Sequence, residues 1–354
     1  MIPSTSQEPI KIDGNLGEGG GQVLRSSLSL SLITNRPFTI VNIRKRRPKP
    51  GLMPQHLKAV EAAAAIGMAR VKGADLGSQS LTFEPSGVKP GKYRFDIGTA
   101  GSTSLVLQTI LLPLSFAGGD STVTVIGGTH VPWSPCFHYL EWHWLHYMGK
   151  IGFRVELKLD KAGFYPRGGG CVCAVIHQAA EFQPIRLTHR GDLKKIRGVS
   201  AVANLDVNVA ERQKAQAIKR LGGLSKEVEI EVIELRAASK GTFLLLIGEF
   251  EHSQCCFFAL GALRKRAESV ADEAVDEFLA FLASDGAIDH YLADQLVLPL
   301  ALTRGASEMR TSKVTQHLTT NASIVEMFLP IRIEIDGELG QPGLIRIRPM
   351  QAQE

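Results

Sequence analysis

Cysteine is scarce in this chain: five occur in 354 residues, an odd count in which Cys255 and Cys256 are adjacent. That excludes a disulfide framework and fits a reducing cytoplasm. Long apolar runs are missing too. The longest apolar stretch, Leu105–Ala117, is broken by Pro113 and falls short of the roughly 20 residues a bilayer requires, so no membrane partner is expected. The opening segment Met1–Pro9 is polar, without a basic or an apolar leader region, and no secretory signal is expected there. Neither sign of charge dominates. Forty Lys+Arg against 35 Asp+Glu leave +5, so any contact with a polyanion must come from a local cluster.

What the chain does have is core-forming material and repetition. Apolar residues make up 44%, enough to exclude global disorder, and 354 residues suffice for about two domains. One theme recurs: a short strand, a Gly-containing turn, an apolar helix and a β-branched strand. It runs through Ile10–Asp13, Gly17–Gly21, Gln22–Ile33 and Phe38–Ile43, and again through Tyr93–Ile97, Gly98–Gly101, Ser102–Phe116 and Ser121–Ile126. A looser third copy is Leu292–Thr303, followed later by the alternating strand Ile331–Ile335. The runs beginning at Leu105 and Leu292 align with one gap, which predicts a body of duplicated α/β units. Between about Pro184 and Asp285 the theme lapses. Strands at Gly198–Leu205, Val228–Leu235 and Thr242–Phe250 alternate with helices at Val209–Leu221 and Arg266–Ala283. The expected organisation is therefore an α/β body over 1–185 and 286–354, with a small α/β domain inserted at 186–285.

Chemistry-bearing residues fall in a few places. The densest basic cluster, Arg44 to Lys49, follows a strand and ends in Pro50-Gly51. Its guanidinium forks suit phosphate oxygens, although a solvated edge would read the same way. If the strand continued, Arg44 and Arg46 would share one face, with Lys45 and Arg47 on the other. Gly17-Glu18-Gly19-Gly20-Gly21-Gln22 opens a helix near Arg25 and leaves backbone N–H groups for an anion; it is neither a Walker A loop nor a dinucleotide fingerprint. Tyr165-Pro166-Arg167-Gly168-Gly169-Gly170 sets a further arginine beside glycines. Lys11-Ile12-Asp13-Gly14 spells the Lys-x-Asp-Gly pattern of lysine-adenylating transferases, which short chance matches also produce. His138, His143 and His146 crowd one helical stretch on which the outer two would stand close enough for a metal. The spacing is not His-Glu-x-x-His and no Cys pair assists, so satisfied or exposed histidines are expected. His317 stands among uncharged polar residues that would leave an imidazole neutral and nucleophilic.

Taken together, these segments resemble the RNA 3'-terminal phosphate cyclases. The resemblance rests on Gly17 through Ser26, Arg44 through Gly51 with Gln55, Gly98 through Thr103, Phe164 through Gly170, Tyr291 through Gln295, and His317 through Asn321. These motifs follow the family's order from about residue 10 to 340. The resemblance implies repeated α/β units like a translation initiation factor's C-terminal domain, plus a small inserted domain. It implies a cytoplasmic ligase-class enzyme that uses ATP to adenylate a histidine matching His317, releases pyrophosphate and passes AMP to an RNA 3'-phosphate. The vicinal 2'-OH then closes a 2',3'-cyclic phosphate and expels AMP. Residues matching the ATP site are Gln108, Tyr291, Leu292, Ala293, Asp294 and Gln295. Those matching the phosphate site are Arg25, Arg44, Arg47 and Gln55. Glu18 and Asp294 match the ligands of a divalent cation, Mg²⁺ or Mn²⁺. The partner implied is an RNA with a 3'-phosphate end, and a homodimer is compatible with the family.

His130–Pro135 and the aromatic stretch through Trp144 depart from the family pattern, which puts nucleotide contacts there in question. The alternative reading is a non-catalytic cyclase-like RNA-binding factor; such relatives lack the histidine, and His317 argues against it. The enolpyruvyl transferases, more distant by fold, require an anion-binding set that this chain lacks. With aromatics at 6% and no stacking motif, recognition is expected to centre on the terminal phosphate and ribose.

Overall fold

The computed structural model describes residues 8–179, 181–224 and 227–350, so most of the Met1–Pro9 segment lies outside the described residues. The first unit comprises β1 (Ile10–Asp13), α1 (Gly21–Thr34), β2 (Phe38–Val41), α2 (Pro54–Gly67), β3 (Arg70–Lys72) and β4 (Leu81–Glu84). The second comprises β5 (Lys92–Asp96), α3 (Thr103–Ser115), β6 (Ser121–Gly127), α4 (Phe137–Tyr139), a π-helical turn at Leu140–Trp144, α5 (Leu145–Ile151), β7 (Val155–Lys161) and β8 (Gly170–Ile176). The third starts at β9 (Arg186–Leu187). It is interrupted by β10 (Leu193–Ala203), α6 (Asn208–Leu221), β11 (Val228–Glu234), β12 (Gly241–Phe250), β13 (Gln254–Leu260) and α7 (Ala267–Ala283). It resumes with α8 (His290–Ala301), β14 (Ser307–Thr311), α9 (Gln316–Phe328), β15 (Ile331–Asp336) and β16 (Gly343–Pro349).

The three units share one topology. Their sheets run β1-β2-β4-β3, β5-β6-β8-β7 and β9-β14-β16-β15, each a parallel pair extended by two antiparallel strands. The repeated theme in the sequence is thus a repeated β-α-β-α-β-β fold, an α/β architecture as expected. The third copy was the loosest because its first strand is two residues long and is separated from its helix by the interruption.

Local sequence explains each part. In β6 the alternation of Val123 and Val125 with Thr122 and Thr124 puts the valines inside and the threonines on the open face. Helix α3 is buried along nearly its whole length, hence its all-round apolar sequence. Ser102, Asp289 and Thr315 cap α3, α8 and α9, each accepting the N–H three residues on. Pro113 and Pro299 stand third from the end of α3 and α8, which is why the two runs align. Helix α1 packs against α2, α3 and α9, and α8 packs against α9.

The interrupting strands form a fourth sheet, β11-β10-β12-β13. Strand β12 is buried on both faces, so it reads as the run Phe243-Leu-Leu-Leu-Ile247 rather than alternating. Leu244 and Leu246 meet α6 and α7, whereas Phe243, Leu245 and Ile247 join the core of the three-unit body. Arg186 and Leu187, the first residues of the 186–285 stretch, pair with β14. Among the described residues no helix is long and apolar enough to cross a membrane.

Candidate active site

Two helix N-termini from different units meet around one imidazole. His317 is the second residue of α9 and Gln22 the second of α1. The turn before α1 can approach α9 because Gly17, at φ +58°, has no side chain: a Cβ there would lie 1.8 Å from Thr320 Oγ1. Glu18 follows on that turn and places Oε2 3.0 Å from His317 Nε2. On the other side of the ring, Nδ1 lies 2.7 Å from Gln22 Oε1. Gln22 Nε2 donates to Asp294 Oδ2 at 2.9 Å. With Asp294 ionised, a flipped amide would set oxygen against carboxylate oxygen, so Gln22 Oε1 faces the imidazole and accepts its Nδ1–H. Nε2 is then the nitrogen that carries the lone pair when the ring is neutral.

The surroundings favour that neutral form. Burial pulls the His317 pKa below the usual imidazole value; Glu18 opposes, while Arg25 and Arg47 add to the depression. Arg47 Nη2 sits 3.4 Å from Glu18 Oε2. Asp294 is pushed up to about 7 by burial, against the Arg25 charge and the Gln22 hydrogen bond, with Asp289 and Glu18 raising it further. Asn321 Nδ2 donates to the Asp294 carbonyl at 2.7 Å, and Ser26 Oγ donates to Asn321 Oδ1 at 2.7 Å. This polar chain ties α1, α8 and α9 together.

The basic cluster departs from the strand expected for it. Strand β2 ends at Val41, and Asn42 and Arg44 take left-handed φ of 56° and 51°, coiling the chain into turns. Face alternation therefore does not apply. Arg44 Nη1 donates to the carbonyls of Lys49 and Gly51, both at 2.8 Å, closing its own loop. Arg46 and Arg47 both fold back onto the Gly17-Glu18 turn.

A second group of expected residues gathers along α8. Gln108 of α3 donates to Gln295 Oε1 at 2.7 Å, and Gln295 Nε2 donates to the Tyr291 carbonyl and to Tyr139 OH. Tyr291 is 48% exposed, its ring lying against that of His290 with centroids 4.0 Å apart. Leu292 and Ala293 are fully buried, and their N–H groups are taken by the Asp289 side chain and the Asp289 carbonyl. Gln55, near the start of α2, accepts the Ser102 N–H at 3.1 Å and joins the first unit to the Gly98–Gly101 turn. Lys11 is exposed on β1, and its neighbour Asp13 instead accepts from Asn15 N–H and Asn42.

Three site residues had no role assigned from the sequence: Gln22 and Asn321, which lie inside the matching motifs, and His56, which lies outside them. His56 is buried beneath Gly21, where a Cβ would lie 2.3 Å from its Nε2. Its Nδ1 accepts the Met53 N–H at 3.2 Å, and burial together with Arg25 and Arg44 pushes it down to about 3, leaving it neutral. The histidines of the second unit are satisfied within the core. His143 Nε2 pairs with Asp289 Oδ2 at 2.7 Å and His138 with His130 at 2.9 Å, while His146 is exposed. No group of three or more His, Cys, Asp or Glu among the described residues could hold a metal ion.

The family model described as RNA 3'-terminal phosphate cyclase matches residues 16–335. The chain is 43% identical over 346 residues to the RNA 3'-terminal phosphate cyclase of Methylococcus capsulatus, covering 96% of each. It is 42% identical over 341 residues to that of Thermococcus kodakarensis, covering 96% of this chain and 98% of the relative. Among solved structures, the enolpyruvyl transferase NikO from Streptomyces tendae aligns over 96% of this chain and 81% of its own at 10% identity, with a TM-score of 0.27.

Proposed function

Because the chain belongs to the RNA 3'-terminal phosphate cyclase family, we propose that it uses ATP to convert an RNA 3'-phosphate into a 2',3'-cyclic phosphodiester by way of an adenylated His317. The observation that carries this reading is the clamp on the imidazole, with Gln22 at Nδ1 and Glu18 at Nε2. A nucleophilic histidine needs one fixed tautomer, and the anchored Gln22 amide supplies it.

The chemistry follows in balanced steps. Nε2, its proton released to Glu18 when it carries one, attacks the α-phosphorus of ATP. The bond from that phosphorus to the bridging oxygen breaks, and the electron pair leaves with pyrophosphate. An oxygen of the RNA 3'-phosphate next displaces the imidazole and forms a phosphoanhydride to AMP. The neighbouring 2'-OH then attacks the RNA phosphorus, loses its proton and expels AMP. A phosphate monoester carries close to two negative charges near neutral pH and repels a nucleophile, so activation is required. Arg25, Arg44, Arg47 and Gln55 are assigned to the phosphate groups, where arginines spread developing charge. Gln108, Tyr291, Asp294 and Gln295 are assigned to ATP, with the buried Leu292 and Ala293 holding that turn of α8 in place.

A divalent cation fits this arrangement on limited terms. Glu18 and Asp294 are the carboxylates beside His317, and Mg²⁺ commonly takes one or two carboxylates, with phosphate oxygens and water completing the shell. Bound there, such an ion would neutralise phosphate charge. The stretch 186–285, apart from β9, which belongs to the body's third sheet, is assigned as an inserted module of the enzyme.

The test uses three RNAs differing only at the last ribose. A 3'-phosphate end is expected to yield a 2',3'-cyclic end, and a 3'-OH end nothing. A 3'-phosphate on a terminal 2'-deoxyribose is expected to accept labelled AMP and stall, because the internal nucleophile and its effective-molarity advantage are missing. A ligated product with no cyclic end, from the ribose-ended strand, would replace the cyclase reading with a ligase.

A further inference from the structure

Resting on that reading, we infer that the RNA strand leading away from the 3'-phosphate runs over a basic, partly apolar patch where the inserted sheet meets the second unit. The β10–β13 register brings several loops to one end of that sheet. Ala203 pairs with Gly241, Val202 with Glu234, and Phe243 with Leu260, so the 235–240 and 261–266 loops emerge side by side. Asn204 Nδ2 fixes the first loop by donating to the carbonyls of Ala237 and Ser239 at 3.0 and 3.1 Å. Gly261 N–H fixes the second on the Thr242 carbonyl at 2.8 Å.

The second unit presses against the same end. Ala162 bridges Ala237 and donates its N–H to the Arg236 carbonyl at 2.8 Å. Phe164 packs so closely on Gly241 that a Cβ there would lie 2.1 Å from the ring. Directly after Phe164 comes the exposed turn Tyr165-Pro166-Arg167.

Six side chains stand out at this junction. Tyr165 and Leu263 are 70% and 92% exposed, which folding alone does not explain. Arg167, Arg236, Lys240 and Arg264 are exposed, and none has an acidic partner among the described residues. Unpaired cations interleaved with an aromatic and an aliphatic side chain suit a single nucleic-acid strand, whose phosphates and bases they match in turn. The patch is also connected to the site that takes the RNA end. A Cβ on Gly168 would lie 2.7 Å from Ala100 Cα, so the 165–168 turn abuts the Gly98–Gly101 turn, whose Ser102 neighbour is held by Gln55.

The experiment compares the parent protein with the double variant Arg236→Ser/Lys240→Ser and the single variant Arg167→Ser, all at exposed positions. Two 3'-phosphorylated substrates are used, a trinucleotide and a strand of about twenty nucleotides with the same end. The parent is expected to show a lower KM for the long strand. The double variant is expected to raise that KM about tenfold and to reduce its salt slope by about one per cation removed. Trinucleotide KM and RNA-independent adenylation are expected to stay unchanged. An unaltered long-strand KM and salt slope would overturn the inference and leave the patch to an acidic protein surface. Equal losses on both substrates would overturn it too, by moving these residues to the end-binding site. If the parent cyclises neither RNA, the cyclase reading fails, and this inference with it.

Discussion

Gln22 decides which nitrogen of His317 can act. Its amide, anchored on Asp294, accepts from Nδ1 and leaves Nε2 facing Glu18. Gln22→Ala removes that constraint and is expected to slow RNA-independent adenylation by about tenfold or more, a hydrogen bond of this kind being worth on the order of 1.5 kcal/mol. Single-turnover incorporation of labelled AMP measures it, and an unchanged rate would deny the residue its orienting role. Arg47 reaches the same glutamate from the loop that follows β2 and pairs with Glu18 Oε2 at 3.4 Å. Arg47→Ala is expected to impair transfer to RNA more than self-adenylation, by about 1.5–3 kcal/mol for a lost charge-assisted contact. Equal losses in the two half-reactions would assign Arg47 to the ATP phosphates.

At the scale of elements, α8 depends on a buried aspartate. Asp289 Oδ1 accepts the Leu292 N–H at 2.9 Å, while Oδ2 takes His143 Nε2. His143 Nδ1 in turn accepts from Gln254 Nε2 at 3.1 Å, so Nε2 is the protonated nitrogen. Asp289→Ala removes the cap and strands a buried N–H. It is expected to cost about 2–4 kcal/mol, combining a lost cap with an unsatisfied donor, as read by urea unfolding. A loss well under 1 kcal/mol would contradict the assignment.

Elements also show what the sequence could and could not say. The matching leucine and proline pattern of α3 and α8 announced the repeat, because both helices are buried on most sides. The two-residue β9 announced nothing, being too short to carry a period. Arg44–Lys49 read as a strand end, yet two left-handed residues curl it into a loop, a conformation that propensity does not mark for Arg. In the site, Glu18, His317 and Asp294 were visible through motifs. Gln22 and Asn321 lay inside the same motifs and His56 outside them, but the roles of all three come from contacts between separate elements that no local pattern encodes.

At the scale of the whole molecule, three buried histidines, His56, His130 and His138, are held uncharged, and this shapes the response to acid. His56 is pushed down to about 3 and His138 to about 4, both mainly by burial, and His130 well below its usual range by burial beside His138. Below about pH 6.5 the unfolded chain takes up protons that the folded chain refuses, so stability falls as pH drops through that point. Between pH 7 and 5 each such histidine costs about 2 kcal/mol. Asp294 acts in the opposite sense: raised to about 7, it binds a proton in the folded state first and returns part of the loss. The net expectation is a loss of a few kcal/mol, about that of one or two histidines, in urea unfolding at pH 5 relative to pH 7. Equal or greater stability at pH 5 would contradict the neutral, buried state of these rings.

The central claim, that His317 is the nucleophile, has a direct measurement in the intact mass of the protein after incubation with ATP and Mg²⁺ in the absence of RNA. The parent chain is expected to gain one AMP, His317→Ala to gain none, and Lys11→Ala to gain it as the parent does. An adduct that survives the histidine substitution and disappears with the lysine would contradict the account and make Lys11 the nucleophile.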